Sequence, residues 1–536
     1  MMALAYGDFH ELSHQLRFLL FEMGIGLQQN AVEAFISSAH RNCLQRLQQS
    51  ALREKLINEP LQSHHVHDFL YQLKNRLALK NEDAGWQILR QELDDSIANE
   101  ALAMAYRQRW QQELIREAKG YFRFWDWLRD AHSAAQLLSF LEQWGSHPCY
   151  PNLNPGFTRR EVLQYSPEFN AQVKLHWCAL RRSAANTFSR DASSSYNSLI
   201  EKHFPHEYAA FREKLLFKQS NPDEFHPVPV HPWQWRNRLQ QSLSPLIDKK
   251  ELHLIPYHQI TRPTLSFPTM IAGDNTCRIK LPLTVVAHHE TALSAVINKL
   301  LAQHNYYHQS LYLTQDLAGI QLATPSKPDI NGHQLSLSLH ENPHQAINNE
   351  DSLIPLAALF TLSPLSRKPL LFDIIQASGL PPLHYFKLYC QCVVYGQLHL
   401  LLHYGIGMEA HQRNTLVSFK DNRPQALVIR DLRGIAVCNN GLYQDSLEPV
   451  LQDSTFITSS LSEISNAFIQ GNLCNNLGFW VTFIGHHYSL EATTLWQIVY
   501  TTIERAMGEM AKTVKPAVLA AQRASILLHP WQQKVY

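Results

Sequence analysis

The stretch from Tyr404 to Asp431 places more limits on the fold than any other. It runs Tyr404-Gly-Ile-Gly-Met-Glu409-Ala-His411-Gln-Arg413-Asn414, then Thr415-Leu-Val-Ser-Phe419, then a polar Lys420-Asp-Asn-Arg-Pro-Gln425, then Ala426-Leu-Val-Ile-Arg430-Asp431. Two short apolar runs about a turn rich in Asp, Asn and Pro predict a β-hairpin. With the turn centred on Asn422 and Arg423, Asn414 and Asp431 fall opposite each other, about 4.5–5.5 Å apart at Cα. Glu409 and His411 lie just before the first strand. One hairpin mouth could therefore gather two carboxylates, an amide and an imidazole. Carboxylate and amide oxygens are the donors that Mg²⁺ takes, usually beside substrate phosphates. An imidazole can donate to a phosphate or to developing negative charge. The competing reading is a surface hairpin with ordinary polar ends.

Charge and composition narrow the function classes. Lys and Arg (47) balance Asp and Glu (46), so there is no electrostatic footprint for nucleic acid or a membrane surface. The 45% hydrophobic content of 536 residues suits a globular protein of two to four domains. The N-terminal residues lack a basic region followed by an apolar core, and no apolar run reaches the ~20 residues that span a bilayer. These features predict a soluble cytoplasmic protein. The eight cysteines form no CxxC pair and are expected to be reduced and mostly buried. The 29 histidines show no HExxH spacing, and pairs such as His288-His289 and His486-His487 are taken as ordinary surface or core residues. Neither a Walker A motif nor a GxSxG elbow is present.

The chain divides into three regions: 1–145 helical, 146–370 richer in strands, and 371–536 mostly helical again. Leucines at helical spacing (Leu12, Leu16, Leu19, Leu20) and the proline-free Asp83–Lys119 segment mark the first region. In the second, Phe225–Trp235 is an extended, proline- and aromatic-rich segment. Leu265 to Leu281 forms a second hairpin candidate with its turn at Gly273–Asn275. Its Ser266, Thr269 and Lys280 are candidate phosphate donors. In the third, the apolar Leu383–Met408 predicts a buried helix capped at Gly405 and Gly407. Ser459–Gly471, Leu490–Ala506 and Ala511–Leu528 predict closing helices.

Four blocks between Gly145 and Asp431 resemble the siderophore synthetases that work independently of non-ribosomal peptide synthetases, the IucA/IucC or aerobactin-synthetase type. They are Gly145-Ser-His-Pro-Cys-Tyr-Pro151 with Tyr165-Ser-Pro-Glu-Phe169; His226-Pro-Val-Pro-Val-His231-Pro-Trp-Gln234; Ser266-x-x-Thr269 with Ile279-Lys280-Leu-Pro-Leu283; and Glu409-x-His411-x-x-Asn414 with Arg430-Asp431. The resemblance implies an α+β, cupped-hand fold with a helical thumb, β-rich fingers and a largely helical palm. It implies ATP and Mg²⁺ as cofactors, adenylation of a carboxylate of citrate or a relative, and attack by an amine or alcohol. Dimers are common in the family. By resemblance Ser266, Thr269, Lys280 and His411 contact phosphates, with Arg413 beside them, and Lys280 and His411 assist the chemistry. Glu409, Asn414 and Asp431 hold Mg²⁺.

The chain also departs from the family pattern. Pro268 stands at an arginine position, His288 and Ala292 stand at a threonine and an arginine position, and Arg413 replaces a glutamine. Tyr150 and Asn154 replace a histidine and a lysine. An arginine's bidentate fork has no equivalent in Pro or Ala. Arg413, Arg278 and Arg262 are the candidates to substitute for the missing guanidinium groups. Two rival readings follow: a non-catalytic relative that binds nucleotide or a partner, and a phosphotransferase that uses the same Asn and Asp.

Overall fold

In the computed structural model the described residues are 9–78, 84–145, 156–266, 269–272, 277–281, 291–304, 309–323, 335–346, 351–432, 434–443 and 456–529. The fold is α+β, as expected, with helices at both ends of the chain and strands between. The N-terminal leucine periodicity forms helices Phe9–Glu22 and Gln29–Arg53, and the proline-free stretch forms Ala84–Glu117.

Eight strands make one wholly antiparallel sheet. They are β1 (Val173–Arg181), β2 (Ala185–Ser189), β3 (Phe225–Val230), β4 (Leu252–Pro263), β5 (Thr269–Ala272), β6 (Cys277–Lys280), β8 (Asp316–Leu322) and β9 (Ser336–Glu341), in the order β2-β8-β9-β6-β5-β4-β1-β3. Strand β7 (Leu311–Leu313) belongs to the second sheet described below. The proline-rich segment is extended only over the edge strand β3, where Pro227 and Pro229 cost no ladder bond on the open side. From Pro232 it is helical, Pro232–Gln234 running into a π-helical Trp235–Leu239, so the extended reading fails over its last residues: Pro232 stands at the first helical position, where its missing N–H costs nothing.

The predicted 415–429 hairpin is the centre of the second sheet. Strands β12 (Thr415–Lys420) and β13 (Arg423–Ile429) pair with each other, with β10 (Ser352–Pro355) and with β7. Both faces are apolar, so both are covered. Val417, Phe419, Leu427 and Ile429 join the core built on helix Pro382–Tyr404. Leu416 and Val428 pack on Leu138 of helix Ala134–Trp144. The turn is Asp421-Asn422, both with positive φ (50° and 63°), one residue earlier than the sequence predicted. The tip is gripped by the core: Trp125 Nε1 donates to Asn422 Oδ1 at 2.8 Å and Tyr385 OH to its carbonyl at 2.9 Å.

Among the described residues three large hydrophobic cores and the small cluster around Leu138, Leu416 and Val428 organise the chain. One joins the N-terminal helices to Val162, Leu163 and Phe169, one backs the eight-stranded sheet, and the largest runs from Leu114 to Ile526. Side chains from Leu114 to Trp144 therefore pack with the C-terminal helices, and the division at 145 and 370 stands as a proposal that the cores cross. The seven described cysteines are all buried, and none of them forms a disulfide with another described cysteine. Among the described residues no helix is long and apolar enough to cross a membrane.

Candidate active site

Helix Pro382–Tyr404 ends at Gly405, whose φ of 65° is the left-handed cap that the sequence suggested. A Cβ there would also stand 2.8 Å from Tyr443 Cγ. Two residues on, Gly407 lies against the backbone of Ile464, where a Cβ would come within 2.8 Å of Cα. Gly407 therefore does not cap the helix: it lies in strand β11 (Ile406–Gly407), which pairs with β14 (Ala436–Cys438).

The segment that follows, Met408–Asn414, forms no strand, and its carbonyls are met by side-chain amides. Asn472 Nδ2 donates to Met408 O (2.8 Å), Asn414 Nδ2 to Glu409 O (2.7 Å) and Asn476 Nδ2 to Ala410 O (2.9 Å). The Gln412 amide donates in turn to Asn475 O. Ala410, Gln412 and Asn414 are buried, while Glu409, His411 and Arg413 are only half-buried. The amide ladder thus fixes a loop that keeps alternate side chains partly accessible. Its donors Asn472 and Asn476 come from a π-helical stretch, Ile469–Leu477, where the sequence predicted the end of an ordinary helix. Such wide turns are rare and often mark functional sites.

The two predicted hairpins meet. Strands β5 and β6 pair as a hairpin, with Thr269 opposite Lys280, although the first strand is Thr269–Ala272 rather than Leu265–Thr269 and the turn predicted at Gly273–Asn275 lies outside the described residues. Lys280 Nζ stands 3.6 Å from Asp431 Oδ1, both side chains largely buried. Ser266 is buried one turn away, its carbonyl accepting from Thr269 N at 2.9 Å. The expected Asn414–Asp431 opposition is off by one. Thr415 pairs with Ile429, so Asn414 faces Arg430, whose N–H donates to Asn414 O at 2.8 Å. A bulge between Ser418 and Phe419 and the earlier turn explain the shift. Asn414 still reaches the carbonyl of Asp431 through Nδ2 (3.4 Å), and its Oδ1 accepts from Thr415 Oγ1 (3.0 Å).

The substitute arginines are mostly committed elsewhere. Arg262 donates to Asn170 Oδ1 at 2.7 Å. Arg278 is buried against Glu142 at 3.3 Å, and that burial holds its pKa down to about 10. Arg413 lies on the accessible face of the mouth loop and acts electrostatically on Glu168. Burial raises the Glu168 pKa, with Arg413 and Arg107 opposing the rise. Pro268, His288, Tyr150 and Asn154 lie outside the described residues, as does the Ala292 side chain.

The oxygen atoms at the mouth would suit Mg²⁺ rather than a softer ion: two carboxylates, Glu409 and Asp431, and the Asn414 amide oxygen, which accepts from Thr415 Oγ1. Among the described residues no group of three or more His, Cys, Asp and Glu could hold a metal, so the amide would have to be the third donor. Glu409 is wedged between glycines. A Cβ on Gly434 would stand 2.7 Å from its Oε2, and one on Gly471 would stand 2.7 Å from its Cβ. Burial raises the Glu409 pKa. The charged form is thus disfavoured by folding, and this cost is felt above the raised pKa and vanishes below the ordinary value near 4.3. In EDTA, Glu409→Gln should therefore raise the melting temperature at pH 8, and the gain should shrink toward pH 4. An equal drop at both pH values would contradict this account.

The IucA/IucC family model matches residues 138–361, and a model described as ferric iron reductase FhuF-like transporter matches residues 383–534. Protein y4xN of Sinorhizobium fredii is 27% identical over 86% of this chain and 78% of its own. Staphyloferrin A synthase of Staphylococcus aureus is 21% identical over 78% of this chain and 75% of its own. Among solved structures, the petrobactin biosynthesis protein AsbB of Bacillus anthracis superposes with a TM-score of 0.71 (16% identity, 93% and 91% of the two chains). ATP-bound aerobactin synthetase IucA of Klebsiella pneumoniae superposes at 0.61 (18% identity, 85% and 80%). At these identities the two superpositions show a shared fold.

Proposed function

We propose, on the premise that the chain belongs to the IucA/IucC family of siderophore synthetases, that it is an ATP-dependent ligase. It would join a carboxylate of citrate or a related polycarboxylic acid to an amine or alcohol. The relatives that support this include staphyloferrin A synthase and the L-2,3-diaminopropanoate–citrate ligase of Staphylococcus aureus, together with the ATP-bound IucA structure.

The observation that carries the reading is the meeting of Lys280 and Asp431 at 3.6 Å. One was expected to face phosphate and the other metal. An ion pair between them is what a phosphate and its counter-cation would replace, ammonium turning to phosphate and carboxylate to metal. On this reading Lys280, His411, Arg413, Ser266 and Thr269 bind the phosphates, and Lys280 and His411 stabilise the charge that builds as pyrophosphate departs. Glu409, Asn414 and Asp431 would hold Mg²⁺, which when bound neutralises phosphate charge. The substrate carboxylate oxygen attacks the α-phosphorus and pyrophosphate leaves. The nucleophile then attacks the acyl carbon and AMP leaves.

Carboxylate-dependent ATP–pyrophosphate exchange with a panel of citrate-like acids tests the proposal. Exchange with at least one acid is expected. ATP binding without exchange for any acid would instead identify a non-catalytic relative, and ADP formation with phosphate transfer a phosphotransferase.

A further inference from the structure

Glu142 belongs to none of the four sequence blocks. Its side chain is fully buried, and its carboxylate accepts from three donors: Arg278 Nη1 at 3.3 Å, Arg430 Nη1, and the backbone N–H of Leu265 at 2.9 Å. Each donor adjoins a site residue. Arg278 is two positions before Lys280 on β6, Arg430 is one before Asp431, and Leu265 is one before Ser266. The helix explains how Glu142 gets there. Leu138 packs on Leu416 and Val428 of the hairpin, and a residue four positions on lies along the same helix face. The neighbouring Gln143 fastens the same helix end to Pro263 O, at the end of β4.

We propose that Glu142 is the positioning residue of this site: a buried carboxylate that clamps the two hairpins together and thereby sets the approach of Lys280 to Asp431. A buried Arg–Glu–Arg cluster is weak evidence for added stability, because desolvation offsets much of the attraction. Its geometry is better suited to registry. Arg430 also donates through Nη2 to Arg413 O at 2.7 Å, so one guanidinium joins the clamp to the mouth loop. The cluster holds two cations and one anion. Arg278 Nε and Nη2 and Arg430 Nε have no hydrogen-bond partner among the described residues. The surplus positive charge adjoins Lys280 and Asp431 in the chain, where it would favour anionic phosphates nearby.

The test is a double-mutant cycle with Lys280, read by Mg-ATP binding calorimetry and by ATP–pyrophosphate exchange. Its kinetic arm rests on the ligase reading, whereas its binding arm requires only nucleotide binding. Glu142→Gln keeps the shape and an acceptor oxygen but removes the charge. In an otherwise wild-type chain it should lower both readouts by about 10–100-fold, as small misplacements at such sites do. In a Lys280→Gln background it should cost less than about twofold in either readout, because residues acting through one another are not additive. Equal losses in the two backgrounds would overturn the proposal, leaving Glu142 a merely structural group. If Glu142→Gln does not fold, Arg278→Lys is put through the same cycle and judged by the same outcomes, since it keeps the charge but loses the fork. Wild-type binding without exchange would overturn the ligase reading alone, and the binding cycle would still decide the role of Glu142.

Discussion

Asp431→Asn should lower Mg-ATP-dependent exchange by about 10²–10³-fold, the scale seen when one fixed charge-stabilising group is lost from an active site. It should do so without loss of fold. The side chain is almost isosteric, and the backbone around it is held independently by Arg430 N–H on Asn414 O and by Asn414 Nδ2 on Asp431 O. The sharper expectation concerns the metal. In the free protein Asp431 faces Lys280 at 3.6 Å. If its carboxylate serves a cation, removing its charge weakens Mg-ATP. It also relieves repulsion against bare phosphates, so ATP in EDTA should bind at least as well as to wild type. Asp431→Ala should abolish turnover altogether. Wild-type turnover by either variant would sink the assignment of this mouth as the nucleotide site. Equal weakening with and without Mg²⁺ would remove Asp431 from the metal set alone.

The parts of the site visible in the sequence are those that depend on near neighbours. Two apolar runs about Asp421-Asn422 sufficed for the hairpin, and the Leu265–Leu281 hairpin was legible in the same way, although its pairing of Thr269 with Lys280 was not. The one-residue error at Asn414 arose because two adjacent non-glycine residues adopt positive φ and move the turn earlier, while a bulge between Ser418 and Phe419 takes back part of that shift; composition alone announces neither. The parts hidden in the sequence depend on distant partners. Glu142 is 288 residues from Arg430 and sits in a helix that otherwise reads as a packing element. Arg278 was read as a spare cation and is instead consumed by that same carboxylate. Asn472 and Asn476 lie four apart in an apolar segment, a spacing that signals a helix face but not a π-helical turn whose amides hold another loop. Four-apart asparagines beside Gly471 were the available signal, and a weak one.

Gly471→Ala is expected to have a large effect, because it acts on backbone rather than on a movable side chain. A Cβ at this position would overlap Cα of Glu409 and stand 2.7 Å from its Cβ. Neither segment can yield cheaply: Asn472 holds Met408 O on one side and Asn476 holds Ala410 O on the other. Overpacking of this kind costs about 1–3 kcal/mol. If it is relieved by displacing Glu409, the Mg²⁺ concentration for half-maximal exchange should rise about tenfold, the equivalent of ~1.4 kcal/mol. Two other glycines calibrate the result. At Gly434 a Cβ would meet the carboxylate end of Glu409, which can rotate away, but φ is 85°, so Gly434→Ala should cost stability more than metal affinity. At Gly508, inside helix Ala492–Met510, a Cβ would meet nothing within 4 Å, so Gly508→Ala should be neutral or slightly stabilising. Thermal unfolding of the three variants, set beside Mg²⁺ titrations of exchange, separates the cases. A Gly471→Ala variant with unchanged metal dependence would show that Glu409 is not held in place by this close approach, and would weaken its claim to be a metal ligand.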